Sequence, residues 1–348
     1  MKRRIFSIMI FSIIFISSVS INQSTVSAES SNDSWNFTVL GDTRNWEPNV
    51  TNIYRKTIME DVYVTNPNMD FIIQTGDLTH NGAEQEDWDL YYQDIDLLVQ
   101  NDVKIYNAVG NHEMYTYPFP NGTYGPPETN FSTYMANVDL PGNERFYSFD
   151  HKGIHFIFFN TDEYFIYDDG YEFAITTEQE DWIHTDLQTN TMNFTIAIFH
   201  RPMYSLRDTS RSHQGSVIRA VLEPILLQYN VTLAFSGHDH YYYNTKREGI
   251  QNIVTAAAGA PLADLDNTEE ALDTDVYFAE YHYCNVTVTD EVITIEALVY
   301  DENLTTTTIE DTVTVYIVEP SKTNSQFYFG FIFLLIWVIP LLRRKNRN

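Results

Sequence analysis

Two histidines one residue apart, in Gly237-His238-Asp239-His240, stand directly behind a short β-branched and aromatic run at residues 231–235. If the backbone stays extended past Gly237, both rings leave the chain on one side, because side chains alternate across a strand. Paired imidazoles at the mouth of a strand are good ligands for transition metals. Four more stretches put ligand-type residues at the ends of apolar runs. Asp42 follows 37–40, Asp77 follows 70–74, Asn111-His112 follows 103–109 and His200 follows 194–199. Asp, Asn and His together suit Fe, Zn or Mn.

The elements that must position these residues alternate along the chain. The apolar runs read as buried strands. Between the first three lie helical patterns at about 49–65 and 83–100, the second with Trp88, Tyr91, Tyr92, Ile95 and Leu98 as its inward stripe. This βαβαβ rhythm predicts a parallel sheet whose site lies in the loops at the strands' C-terminal ends. A Pro-, Gly- and Tyr-rich insertion at 114–145 reads as an excursion beside the site. Next come a hairpin over 146–150 and 154–160, a Thr-capped helix over 177–187, and a helix over 216–229 that Pro224 should kink or split. Strands at 252–256, 281–288, 292–300 and 313–318 predict an antiparallel ending.

The 348 residues carry 48 acidic and 20 basic side chains, a formal charge of −28. No nucleic-acid-binding surface is expected of such a body, nor affinity for an anionic membrane face. The acidic balance favours a mechanism in which metal ions supply the positive charge. Both termini point to a membrane. Met1-Lys2-Arg3-Arg4, an apolar run to Ile16 and Val26-Ser27-Ala28 read as a secretory signal peptide over 1–28. At the other end, a polar spacer at 320–326 leads to an apolar stretch at 327–342 and a basic tail at 343–348. The tail follows the positive-inside rule, so the stretch reads as a C-terminal membrane anchor or sorting segment with the body at the extracellular face. Asn-x-Ser/Thr sequons at Asn32, Asn36, Asn49, Asn121, Asn130, Asn193, Asn230, Asn285 and Asn303 fit a glycoprotein. The lone Cys284 excludes an intramolecular disulfide.

Taken in order, Gly41-Asp42, Gly76-Asp77, Gly110-Asn111-His112-Glu113, His200 and Gly237-His238-Asp239-His240 resemble the five motifs of the calcineurin-like metallophosphoesterases. The style of His200-Arg201-Pro202-Met203-Tyr204 is similar to the purple acid phosphatase branch. The resemblance implies an α/β fold, a four-layer α/β/β/α sandwich spanning 36–319. It also implies two metal ions, Fe, Zn or Mn, with Asp77 bridging them. Asn111, His200 and His238 would hold one ion, Asp42 and His240 the other. A metal-held hydroxide would attack a phosphate ester, with Asn111 also touching the phosphate. By the same resemblance His112 would protonate the leaving oxygen, its ring oriented by Glu113.

One departure stands out. The first motif usually reads Asp-x-His, and here it reads Asp42-Thr43-Arg44. Arginine stays protonated and cannot ligate. In the purple phosphatases a tyrosine three residues after the second motif's Asp takes over that role, and here the position is His80. His80 is therefore the expected substitute ligand, an exposed loop histidine being the other reading. Without tyrosinate, no purple colour is expected. Arg44 is left to bind the substrate's phosphate as a bidentate fork, or to form a structural salt bridge. The expected activity is hydrolysis of phosphomonoesters or phosphodiesters. A single-metal enzyme and a surface binding protein without catalysis are the alternatives.

Overall fold

The computed structural model describes residues 34–47, 50–114, 127–167, 170–173 and 175–317, all within one compact unit. The expected leader (1–28), spacer (320–326), anchor (327–342) and tail (343–348) lie outside them. No helix among the described residues is long and apolar enough to cross a membrane.

The first half alternates as expected. Strand β1 (Trp35–Leu40) is followed by α1 (Ile53–Thr65), β2 (Ile72–Gln74), α2 (Gln85–Asp94), α3 (Asp96–Gln100) and β3 (Ile105–Asn107). Next come α4 (Asn111–Met114), α5 (Pro127–Asn137), the hairpin β4 (Tyr147–His151) and β5 (Ile154–Phe158), and a small hairpin of β6 (Tyr164–Tyr167) and β7 (Gly170–Phe173). Helix α6 (Thr177–Thr189), β8 (Phe194–Ile198), α7 (Thr209–Gln228) and β9 (Leu233–Ser236) carry the chain past the second half of the site. It ends with β10 (Tyr242–Arg247), β11 (Ile250–Thr255), β12 (Val276–Phe278), β13 (His282–Val288), β14 (Val292–Tyr300) and β15 (Thr307–Tyr316).

Two large sheets result. The first runs β15-β14-β13-β1-β2-β3, and the second β12-β10-β11-β9-β8-β5-β4. β1, β2 and β3 are parallel, as are β5, β8, β9 and β11. The sheets face each other through an aromatic cluster. Phe156 of β5 meets Phe37 of β1 edge-on at 5.5 Å and stacks on Phe149 of β4 at 5.0 Å. Alternation sends every second residue the other way. Ile157, Ala197 and Ala234 leave the second sheet outward to a separate core with Ile183 and Leu187 of α6 and Ile218, Leu222 and Ile225 of α7. On the first sheet, Ile58 and Met59 of α1, with Trp88 and Tyr91 of α2, complete the outer layer. This is the expected α/β/β/α arrangement.

Two local expectations need correction. The helix foreseen over 83–100 is two helices, separated at Ile95 (φ −100°, ψ 16°). Within it Tyr92 does not face inward: it is 37% exposed and donates its hydroxyl to the Asn137 carbonyl. Helix α7 starts at Thr209, where Asp208 caps the amides of Ser210 and Arg211, and runs unbroken through Pro224. Pro224 and Ala220 are both exposed, so the carbonyl freed by the missing N–H faces water. Residues 127–137 of the predicted insertion form a helix, while 115–126 lie outside the described residues.

Candidate metal centre

The strand ends β1, β2, β3, β8 and β9 converge at one edge of the two sheets. Asp42 and Asp77 both adopt left-handed backbone (φ 54° and 56°), which short polar side chains tolerate. Their loops are joined by the Asp42 amide to the Gly76 carbonyl (3.0 Å) and the Arg44 amide to the Asp77 carbonyl (2.9 Å). Beneath them Arg55 of α1 holds Asp94 at 2.5 Å and donates to the Leu78 carbonyl at 3.0 Å. Glycine is required at the seam. Gly76 has φ 104°, and a Cβ there would lie 2.6 Å from Nδ1 of His200.

Two ligand groups form, and they share a residue. Asp77, His200 and His238 make one; Asp42, Asp77 and His240 make the other, all of them buried. Hydrogen bonds set the ring tautomers. Nδ1–H of His200 donates to the Thr75 carbonyl at 2.8 Å, turning Nε2 toward Oδ1 of both Asp77 and Asn111, each at 3.2 Å. His240 donates from Nδ1 to the Pro261 carbonyl at 2.7 Å, leaving Nε2 3.4 Å from Oδ1 of Asp42. His238 presents Nδ1 to Nε2 of His200 at 3.1 Å. Its other nitrogen lies 2.7 Å from Nη1 of Arg201 and 3.1 Å from Oε1 of Gln214.

These residues fit cations. Oδ1 of Asp42 is buried without a hydrogen-bond partner, while Oδ2 accepts from the His238 amide at 2.8 Å. Against the effect of burial, the negative charges of Asp77 and Asp42 push the His200 ring up to about 10. Burial likewise opposes the charge on Asp77, yet His200 and His112 hold its carboxyl well below the usual range. Carboxylates that favour a charged imidazole in this way also favour a positive ion.

The remaining expected residues fall as follows. Nδ1–H of His112 donates to the His80 carbonyl at 2.6 Å, and its Nε2 lies 3.9 Å from Oδ2 of Asp77. Burial, and after it the Arg44 charge, push this ring well below the usual imidazole range. Among the described residues, Glu113 makes no hydrogen bond to the His112 ring. Its carboxylate instead accepts four backbone amides, from Asp77 (2.8 Å), Leu78 (2.7 Å), Thr79 (3.3 Å) and Gly110 (2.9 Å). Arg44 stands beside the centre, with Nε 4.0 Å from Oδ2 of Asp77 and Nη1 bonded to the Asn45 carbonyl. His80 belongs to neither ligand group. It is buried, not an exposed loop histidine, and its Nδ1 is 3.2 Å from the Asn45 carbonyl. Gln214 went unnoticed in the sequence, since it sits inside a helix with no motif. The Arg201 contact to His238 has a faint sequence signal, a cation directly after a ligand histidine.

This fold and centre define a metallophosphoesterase-type protein. Residues 36–242 match the calcineurin-like phosphoesterase family, and the chain belongs to it. It is similar to purple acid phosphatase 22 of Arabidopsis thaliana, 26% identical over 196 residues that make 53% of this chain and 41% of that protein. Purple acid phosphatase 1 of Ipomoea batatas is 26% identical over 204 residues, 56% of this chain and 41% of that one. The chain thus spans less than half the length of these relatives. Among solved structures, purple acid phosphatase PPD1 of yellow lupin shares the fold, with a TM-score of 0.66, 18% identity, and coverage of 81% of this chain and 54% of that one. Plasmodium GAP50, described as an anchor in the inner membrane complex, aligns with a TM-score of 0.63 and 15% identity over 84% of this chain and 91% of that one.

Proposed function

We propose that this protein hydrolyses phosphoric esters, monoesters or diesters, with two metal ions held in the two ligand groups. One observation carries the reading: Asp77 is common to both groups, beside an Asp42 oxygen that is buried and, among the described residues, accepts no hydrogen bond. Asp77, Asn111, His200 and His238 would hold one ion, and Asp42, Asp77 and His240 the other, from among Fe, Zn and Mn. Bound there, such ions would neutralise phosphoryl oxygens and make water acidic enough to react near neutral pH.

The chain's own residues do the rest. Arg44 keeps Nε buried and without a hydrogen bond among the described residues, available to a phosphoryl oxygen. His112 is fixed by the His80 carbonyl so that Nε2 faces the centre. Burial and the Arg44 charge lower its pKa and favour the neutral ring, so a negatively charged substrate would have to raise it before the ring could donate a proton to the leaving oxygen. Glu113 sets the relative position of the Asp77 and Asn111 loops.

The test is metal analysis of purified protein together with turnover of a chromogenic phosphate ester. Two ions per chain are expected, with a loss of roughly a hundredfold or more in rate on His112→Ala. His80→Ala should keep both ions, because that ring lies outside the ligand groups. Metal-free, inactive wild type would sink the reading. We further propose, from the two terminal segments alone, export and attachment at the extracellular face; recovery of full-length protein from the cytosolic fraction would refute this.

A further inference from the structure

Helix α7 begins against the metal centre. Gln214, in its second turn, accepts from Nη1 of Arg201 at 2.7 Å and lies 3.1 Å from Nε2 of His238. Arg211 is three residues earlier and therefore on the same helical face. Its Nη1 is buried and, among the described residues, has no hydrogen-bond partner. The carboxylate that bears most on it, Asp239, forms no ion pair with it and takes the Tyr241 hydroxyl on Oδ2 at 2.8 Å. Arg211 thus lies one helical turn from Gln214, the residue that reaches Nε2 of His238.

A desolvated guanidinium without an anion is costly. In a chain with 48 acidic against 20 basic residues, carboxylate partners are plentiful, yet among the described residues none accepts from Nη1 of Arg211. Apart from Arg201, which Asp162 holds at 2.6 Å, two guanidinium groups near the site carry a buried N–H without a hydrogen-bond partner among the described residues. Arg44 enters beside Asp77 from the loop after β1, and Arg211 lies on α7 one turn before Gln214, which reaches to 3.1 Å from Nε2 of His238. A single phosphoryl group at the metals satisfies one of them.

We propose that Arg211 binds a second anionic group of the substrate, so that preferred substrates carry another phosphoryl group next to the one at the metal centre. This rests on the phosphoesterase reading above, and it goes further by naming diphosphate-type compounds as the substrate class. Guanidinium is the side chain suited to the task, because its fork matches two phosphate oxygens.

The experiment titrates metal-loaded full-length protein with inorganic phosphate and with pyrophosphate in a calorimeter, for wild type, Arg211→Gln and Arg211→Lys. Wild type should bind pyrophosphate the more tightly. Arg211→Gln should weaken pyrophosphate by roughly ten- to a hundredfold, as for loss of a charged hydrogen-bonded contact, and phosphate several-fold less. The lysine variant, which keeps the charge, should fall between. Equal losses for both anions, or a pyrophosphate preference that survives in Arg211→Gln, would overturn the assignment. Hydrolysis of p-nitrophenyl phosphate is measured in parallel. Turnover without any pyrophosphate preference removes the Arg211 proposal alone. Absence of turnover with two metals bound removes the phosphoesterase reading, while the pyrophosphate titration still decides the anion site.

Discussion

Glu113 shows how a residue can sit in a catalytic motif and serve the backbone. Its two oxygens take four amides from two different loops, a count no neutral side chain can match. Burial and the Asp77 charge push its carboxyl up, against the pull of the His200 charge and of those amides. Glu113→Gln substitutes an NH2 group for one acceptor and so sets donors against donors. Unsatisfied buried donors cost about 1–3 kcal/mol each, so the variant should lose about 2–5 kcal/mol of stability and bind metal less well. Chemical denaturation and metal analysis would check this; an unchanged denaturation midpoint would rule it out. The sequence shows that a carboxylate follows His112. It does not show which amides the fold will bring to it, because those of Asp77, Leu78 and Thr79 arrive from a different strand.

At the scale of elements, the strand ends were readable and the helices less so. Each candidate ligand follows an apolar run of the sequence, so Asp42, Asp77, Asn111, His200 and His238 could be placed beyond strand ends without coordinates. The start of α7 could not. Its cap, Asp208, lies in a polar stretch indistinguishable from a loop, and this hid the turns carrying Arg211 and Gln214. The two parallel strand sets also meet more tightly than any pattern reveals. A Cβ on Gly76 would fall 2.6 Å from the His200 ring and 3.0 Å from the Gly110 backbone, at a φ that L-residues avoid. Gly76→Ala should therefore cost about 1–3 kcal/mol and lower metal content by displacing His200. Retention of two metals at wild-type stability would contradict this account of the seam.

Across the whole molecule, charge is managed by pairing inside an acidic shell. His155, on β5, joins Asp150 of β4 to Asp186 of α6 through contacts of 2.7 Å on each ring nitrogen. Burial opposes its charge, but the bonds to Asp186 and Asp150 outweigh that and raise its pKa. A folded pKa above the unfolded value of about 6.5 gives stability that is complete below that pH and disappears as pH rises through the folded value. His155→Gln should thus lower the unfolding temperature more at pH 6 than at pH 9. An equal shift at both would mean that His155 is neutral in the fold. The sequons are unequal at this scale as well. Asn193, Asn230 and Asn303 are exposed, whereas the Asn36 and Asn285 side chains lie on paired strands and accept hydrogen bonds from Asn66.

Strand β1 carries a consequence for biosynthesis. It lies between β2, which follows soon in sequence, and β13, where Val39 faces Cys284. While the polypeptide emerges from the ribosome, one side of β1 waits for a partner made only after all the strands that carry the site. Until then Phe37 and Val39 flank unpaired backbone groups of the kind that recruit other chains. Asp42, the first ligand synthesised, hangs from that strand and is among the last to be fixed. Metal uptake would therefore be a late event in maturation, and yield of soluble protein would be set by how well this nascent edge is shielded.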